Sequence, residues 1–308
     1  MRVFVTGATG FIGSALVNEL LNAGHQVLGL ARSDAGVKSL KAAGAEAQLG
    51  SLEDLESLRS GAANSDGVIH LALIHDFSRF QENCETDRRA IEALGSALIG
   101  SNRLLIVTSG TAIVAPGRLS TEEDAPAVSS ASIPRIASEE AAAAVAERGV
   151  RVSVVRLPQV HDQRMQGLIT PAIDIARQRG VSAFVGDGSN RWPAVHLLDA
   201  AHLYALALEK GSPGARYHAV AEEGVPVRQI AEVIGRRLNL PVVSKSPAEA
   251  MEHFGWLGVF AGLDCPASSA LTQRRLGWHP VGPALIPDLE RAHNLEIQVE
   301  ALTTRGTE

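Results

Sequence analysis

The octet Thr6-Gly7-Ala8-Thr9-Gly10-Phe11-Ile12-Gly13 follows directly on the apolar run Val3-Phe4-Val5 and constrains the chain more than any other feature. Three glycines, each separated by two residues, between an apolar run and an amphipathic stretch predict a strand, a tight turn and a helix. Gly7 allows the sharp turn, Gly10 leaves the main chain bare for a pyrophosphate, and Gly13 lets helix and strand pack closely. The amides of Thr9, Gly10, Phe11 and Ile12 then lie at the positive end of the helix, where an anion is favoured. Ile12, Leu16 and Leu20 recur every four residues, Val17 and Leu21 widen the stripe, and Gly24 ends the helix.

A second strand, Gln26–Ala31, follows that helix, and strands and helices keep alternating to about residue 160. This order predicts an α/β, Rossmann-type doubly wound parallel sheet with helices on both faces. At 308 residues there is room for one large domain or two that share an interface. Scattered charges and a formal net charge of −6 argue against nucleic acid or an anionic membrane as partner. No long apolar run predicts a transmembrane helix, and Cys84 and Cys265 stand alone, which fits a reducing, cytoplasmic setting. No histidine or cysteine spacing suggests a metal site, so none is expected.

The glycine spacing, with its preceding Thr6, resembles the fingerprint of the extended short-chain dehydrogenase/reductase superfamily, which includes nucleotide-sugar epimerases and dehydratases. The resemblance implies a cofactor-binding part over residues 1–165 and a smaller α/β substrate-binding part over 166–308, with 195–222 packing back on the first. Arg32 stands where an NAD-selecting acid is usual, and a guanidinium suits a 2′-phosphate. NADP is therefore the expected cofactor, NAD the alternative served by Asp34, with Ser33 beside them. Ser51 replaces the family's acid facing the adenine, next to Leu52. Val68–Leu73 resembles the "VIHLAA" strand and sets Leu71, Ala72 and Leu73 against the cofactor, with His70 read as a core histidine. Arg151–His161 is expected as one strand resembling "RPxxVYG", with Pro158, Gln159 and Val160 near the nicotinamide.

The catalytic positions depart from the pattern. The family's Ser or Thr falls on Gly110, so a hydroxyl has to come from Thr111 or Ser109. Tyr-x-x-x-Lys is absent: aligning on Ser138 puts Arg135 at the tyrosine and Glu139 at the lysine, and the chain has no Tyr or Lys between Lys41 and Tyr204. Arg135 orients or stabilises negative charge but exchanges no proton. Glu139 accepts ribose hydroxyls, or acts as an acid or base if its pKa is raised. Alternatively the two form an intrahelical ion pair. His161, at the tyrosine of "RPxxVYG", is either a general acid or a packed loop residue.

Further on, Val185–Ala201 resembles "GdGxxxrxfvHvdDvA". Arg191 is expected to face substrate and Trp192 to form a bulky apolar wall. Phe254 and Trp256 belong either to a small core under a loop or to an apolar lid over the substrate. Together these features imply an NADP(H)-dependent oxidoreductase acting on a small, largely apolar carbonyl, imine or activated alkene through a proton donor other than tyrosine. The alternatives are a redox-neutral epimerase, isomerase or dehydratase, and a non-catalytic NADP(H)-binding sensor. Relatives commonly dimerise, so a homodimer is the expected assembly.

Overall fold

In the computed structural model, which describes residues 1–295, strand and helix alternate from the first residues. Strand β1 (Arg2–Thr6) leads through the glycine turn into α1 (Phe11–Asn22). Then follow β2 (Gln26–Ala31), α2 (Asp34–Ala42), β3 (Glu46–Leu49), α3 (Leu55–Ala63), β4 (Gly67–His70), α4 (Phe80–Ser96), β5 (Leu104–Gly110), α5 (Ala137–Glu147) and β6 (Arg151–Leu157). These strands pair in parallel in the order β6-β5-β4-β1-β2-β3. Between β1 and β4 the winding reverses, so the crevice outside their carboxyl ends is where this architecture receives ligands.

Both faces of the sheet are covered. Leu16, Val17 and Leu20 of α1 and Leu40 of α2 pack on one face against Val3, Val5 and Ile69. Leu58 of α3, Ile91 and Leu94 of α4 and Val145 of α5 close the other against Phe4, Val68, Leu105 and Val107. With neither face open to water, the strands read as near-continuous apolar runs.

Two expected strands are shorter than their apolar runs. Val68–Leu73 leaves the sheet after His70, because the Ala72 amide turns to donate to Thr6 Oγ1 at 3.3 Å and the chain crosses above the glycine turn. The single strand expected over 151–161 breaks at Pro158, which has no N–H for the ladder. Beyond it, β7 (Gln159–His161) enters a second sheet.

That second sheet takes β9 (Arg191–His196) parallel to β7, and β11 (Glu222–Pro226) antiparallel to β9. Helix α6 (Ile169–Arg179) and strand β8 (Ser182–Val185) precede it. From it, α7 (Leu197–Lys210) returns to pack on α1, and β10 (Arg216–His218) extends the parallel sheet beside β6. Next, α8 (Val227–Leu238) ends on Asn239 in the left-handed region (φ 54°), and β12 (Val242–Lys245) pairs with β8. Helices α9 (Pro247–Phe254), α10 (Gly258–Ala261), α11 (Ala270–Leu276) and α12 (Leu285–Leu289) complete the described chain. Among the described residues no helix is long and apolar enough to cross a membrane.

Candidate functional site

The glycine turn is fixed by contacts that admit no side chain. Gly7 sits at φ 68°, and a Cβ there would lie 2.9 Å from the Ala72 amide nitrogen. A Cβ on Gly13 would fall 2.0 Å from the Gly7 carbonyl oxygen, inside any tolerable contact. Gly10 is different: its nearest protein atom would be 3.2 Å away, and the residue is exposed. It is also the N-cap of α1, and no side chain caps that helix. By contrast, the side chains of Ser33 and Asp54 cap α2 and α3. The α1 amides are thus left for an anion.

Around this mouth, Leu71, Ala72 and Leu73 are half-buried and Thr9 is exposed. Arg32 projects into solvent past the end of β2 and forms no ion pair with a described residue. Ser33 is occupied as the α2 cap, its hydroxyl accepting from Gly36. Ser51 Oγ accepts from the Glu53 and Asp54 amides, which leaves it a hydroxyl proton to donate, and Leu52 is buried in the core.

At the other end of the crevice, charges are locked into buried pairs. His70 bridges Thr6 Oγ1 (2.8 Å) and Asp87 Oδ1 (2.9 Å), a core histidine linking β1, β4 and α4. The other oxygen of Asp87 takes the Ser138 hydroxyl and Arg135 Nη1 (3.1 Å), while Arg135 Nη2 donates to the Thr108 carbonyl at 2.8 Å. Burial alone would raise the pKa of Asp87, but the hydrogen bond and charge of His70, with Arg135, hold it low.

Glu139 turns the opposite way and receives Arg156 Nε and Nη2 at 2.7 Å each. Arg156 is fully buried on β6, where it also donates to the Asp124 carbonyl and contacts His218 Nε2 at 3.3 Å. The intrahelical Arg135–Glu139 pair is therefore not formed. Burial works to raise the Glu139 pKa, but Arg156 outweighs it and holds the carboxyl low, so a raised-pKa acid at Glu139 is also not what the structure has. His218 is pushed down to about 4, first by burial and then by the Arg156 charge.

Ser109, Gly110, Thr111, Arg135 and Glu139 meet at the carboxyl end of β5, where Ser109 lies in register with Arg156. Thr111 is 2% exposed, and its hydroxyl points to the Leu157 carbonyl at 3.5 Å, next to Pro158. Gln159 Oε1 accepts from the Leu168 amide, and Val160 joins the main core. His161 is apart from this group. It is fully buried, its Nδ1 is 2.9 Å from Asp288 Oδ2, and its ring lies edge-on to His196. Burial lowers its pKa despite Asp288. It packs between β7, β9 and α12, and solvent does not reach it.

The expected substrate residues divide. Arg191 is exposed but forms a two-pronged pair with Asp264 (3.0 and 2.9 Å) at the edge of a 370 Å³ depression. Trp192 is 4% exposed, lies in the core between the second sheet and α8, and donates to the Leu263 carbonyl. Phe254 fills a small core with Leu257 and Ala261. Trp256 is 37% exposed and lies face to face with Phe77, with centroids 4.0 Å apart and planes 4° from parallel. Sequence reasoning missed Phe77, His75, Asp87 and Arg156. Only His75, two residues beyond the expected cofactor strand Val68–Leu73, carried a local signal.

Comparison with known proteins agrees with the fold. A solved dTDP-glucose 4,6-dehydratase from Streptomyces venezuelae, with NAD bound, superposes with a TM-score of 0.76 over 95% of each chain at 21% identity. A 4-hydroxy-2-methyl-3-oxo-4-farnesyl-3,4-dihydroquinoline-1-oxide ketoreductase of Stigmatella aurantiaca is 26% identical over 83% of this chain and 80% of its own. An uncharacterised protein of Schizosaccharomyces pombe is 51% identical over 94% of this chain and 98% of its own. Residues 3–220 match the model of the NAD dependent epimerase/dehydratase family, and the chain belongs to that family.

Proposed function

We propose that the chain is an NADP(H)-dependent oxidoreductase that reduces a small, largely apolar carbonyl, imine or activated alkene. The observation that carries the cofactor half is the α1 mouth, a helix start with no side-chain cap and a glycine where a Cβ would meet an approaching phosphate. Thr9, Gly10, Phe11 and Ile12 would hold the diphosphate, and Arg32, free of any described acidic partner, would hold the 2′-phosphate. Leu71–Leu73, Ser109, Gly110 and Pro158–Val160 would flank the nucleoside and nicotinamide ends. The nicotinamide supplies hydride when bound.

Arg191 supports an apolar rather than a nucleotide-sugar substrate. Both prongs of its guanidinium are engaged by Asp264, so it offers little to a sugar phosphate. Trp256, 37% exposed and stacked on Phe77, presents apolar aromatic surface. Arg135, pinned between Asp87 and the Thr108 carbonyl, is a fixed positive charge able to stabilise a developing oxyanion. Glu139, held as a carboxylate, accepts hydroxyl hydrogen bonds but donates no proton. The small C-terminal region acts as the substrate side of the crevice, and a homodimer is the assembly we propose.

The test is NADPH oxidation, followed by its absorbance, against a panel of apolar ketones, imines and enones. Turnover on any of them supports the reading. Cofactor that co-purifies and is never net consumed would assign the chain to redox-neutral chemistry instead.

A further inference from the structure

We infer that the Phe77–Trp256 contact is a latch across the carboxyl-end crevice, which opens to let the nucleotide exchange and closes over it once bound. This rests on the cofactor reading above and adds control of access to that same site.

The two halves of the contact hang from opposite sides of the crevice. Phe77 belongs to the stretch of chain that leaves β4 at His70 and crosses above the glycine turn at Ala72. Trp256 lies between α9 and α10, where Phe254, Leu257 and Ala261 are buried against Leu168 and against Ala172 and Ile175 of α6. The Leu168 amide in turn donates to Gln159 Oε1 on β7, which continues the chain of β6 past Pro158. In the parallel sheet β5 lies between β4 and β6. A contact that joins the chain after β4 to the chain after β6 therefore spans the end of β5, where Ser109, Gly110 and Thr111 stand.

The halves are mounted differently. On one side, Asp76 accepts the Ser78 amide at 3.0 Å and the Ser78 hydroxyl at 2.6 Å, and its carbonyl takes Asn83 of α4 at 2.8 Å. Phe80, at the head of α4, stacks on the same Phe77 ring. On the other side, Trp256 follows Gly255, whose φ of 57° and ψ of −135° suit only glycine. No atom lies within 4 Å of where a Gly255 Cβ would be, so the backbone has room to turn there. Phe77 is the fixed ring and Trp256 the hinged one.

Ring contact joins them. The Phe77 and Trp256 centroids are 4.0 Å apart, and Phe260 meets both rings edge-on at 6.1 and 6.3 Å. A stacked pair favours contact about two- to tenfold beyond the area it covers. A hold of that size keeps the crevice closed most of the time and still lets it open. Closed, the latch shields the end of β5 from water; open, it admits nucleotide.

The test is stopped-flow fluorescence of NADPH binding to the full chain, and of its displacement by excess NADP+. In Trp256→Ala the association and dissociation rates should both rise about tenfold, with Kd within about threefold, because an open gate speeds both directions. Phe77→Leu should do the same from the fixed side. The double variant should be no faster than either single one, since each removes the same contact. Trp256→Phe keeps a ring for Phe77 and should stay within about threefold of the wild-type rates. Faster release with unchanged association would make Trp256 an ordinary contact of the nucleotide and overturn the latch. So would unchanged rates in both single variants, or rate increases that multiply in the double one. Each of those results leaves the cofactor reading standing. If the wild-type chain binds no NADPH at all, both readings fall.

Discussion

At the β1–α1 turn the backbone itself makes the binding surface, whereas at the β5–α5 end the surface is made by side chains from four strands and two helices. The glycine turn lies within residues 7 to 13, closed by the carbonyl of Gly7 and by the Ala72 backbone that crosses above it. The β5–α5 end needs Asp87 to find Arg135 across 48 residues and Arg156 to find Glu139 across 17. The first is a matter of missing Cβ atoms. The second depends on buried charge, where each ion is costly alone and tolerable only in its pair. An architecture of the first kind keeps a ligand site open, while one of the second kind closes most of its polar atoms against each other.

The largest effect is expected at Glu139. Removing it in Glu139→Ala strands the fully buried Arg156, and the chain should lose about 3–5 kcal/mol in urea unfolding. A loss under about 1 kcal/mol would mean that this end is not held by its charge pairs.

Acid titration comes next. The folded pKa of His218, about 4, is below its unfolded value of about 6.5. Its contribution is therefore complete above about pH 6.5 and is lost as pH falls toward 4, on the order of 3 kcal/mol in all. Asp87 and Glu139, also held low, add stability that is present above their unfolded pKa of about 4 and lost below it. Thermal unfolding should thus weaken from pH 7 to pH 5, and His218→Gln should flatten that stretch of the profile. A wild-type profile flat across it would contradict the buried neutral imidazole.

At the backbone-built end the expected effects are smaller. Gly13→Ala forces a methyl onto the Gly7 carbonyl, at about 1–3 kcal/mol of stability, and should lower NADPH affinity in the same sample by spoiling the turn. Smallest is Arg32→Ala, which should weaken NADPH binding about tenfold, near 1.4 kcal/mol, and leave NADH binding and stability unchanged. Equal weakening of both nucleotides would remove Arg32 from the 2′-phosphate.

The same division explains what the sequence discloses. The parallel sheet, the glycine turn and the α1 stripe are written in short-range spacing, and the fold follows them. His70 as a core residue was also legible, from its place in a buried strand. The partners of Arg135 and Glu139 were not: a spacing of four suggests that they face each other, and only the tertiary positions of Asp87 and Arg156 draw them apart. Pro158 marked a break in the strand that the apolar run around it concealed. Trp192, which the resemblance sets at the substrate wall, packs into the second core, a placement made by tertiary contacts that its own segment does not announce. The Phe77–Trp256 contact joins segments with no shared pattern, so nothing local announces it.

The most direct measurement of the central claim is calorimetry of the purified full chain with NADPH and with NADH. The expected result is saturable one-to-one binding of NADPH, tighter than NADH, with the diphosphate on the uncapped amides of α1. No heat of association with either nucleotide would contradict it.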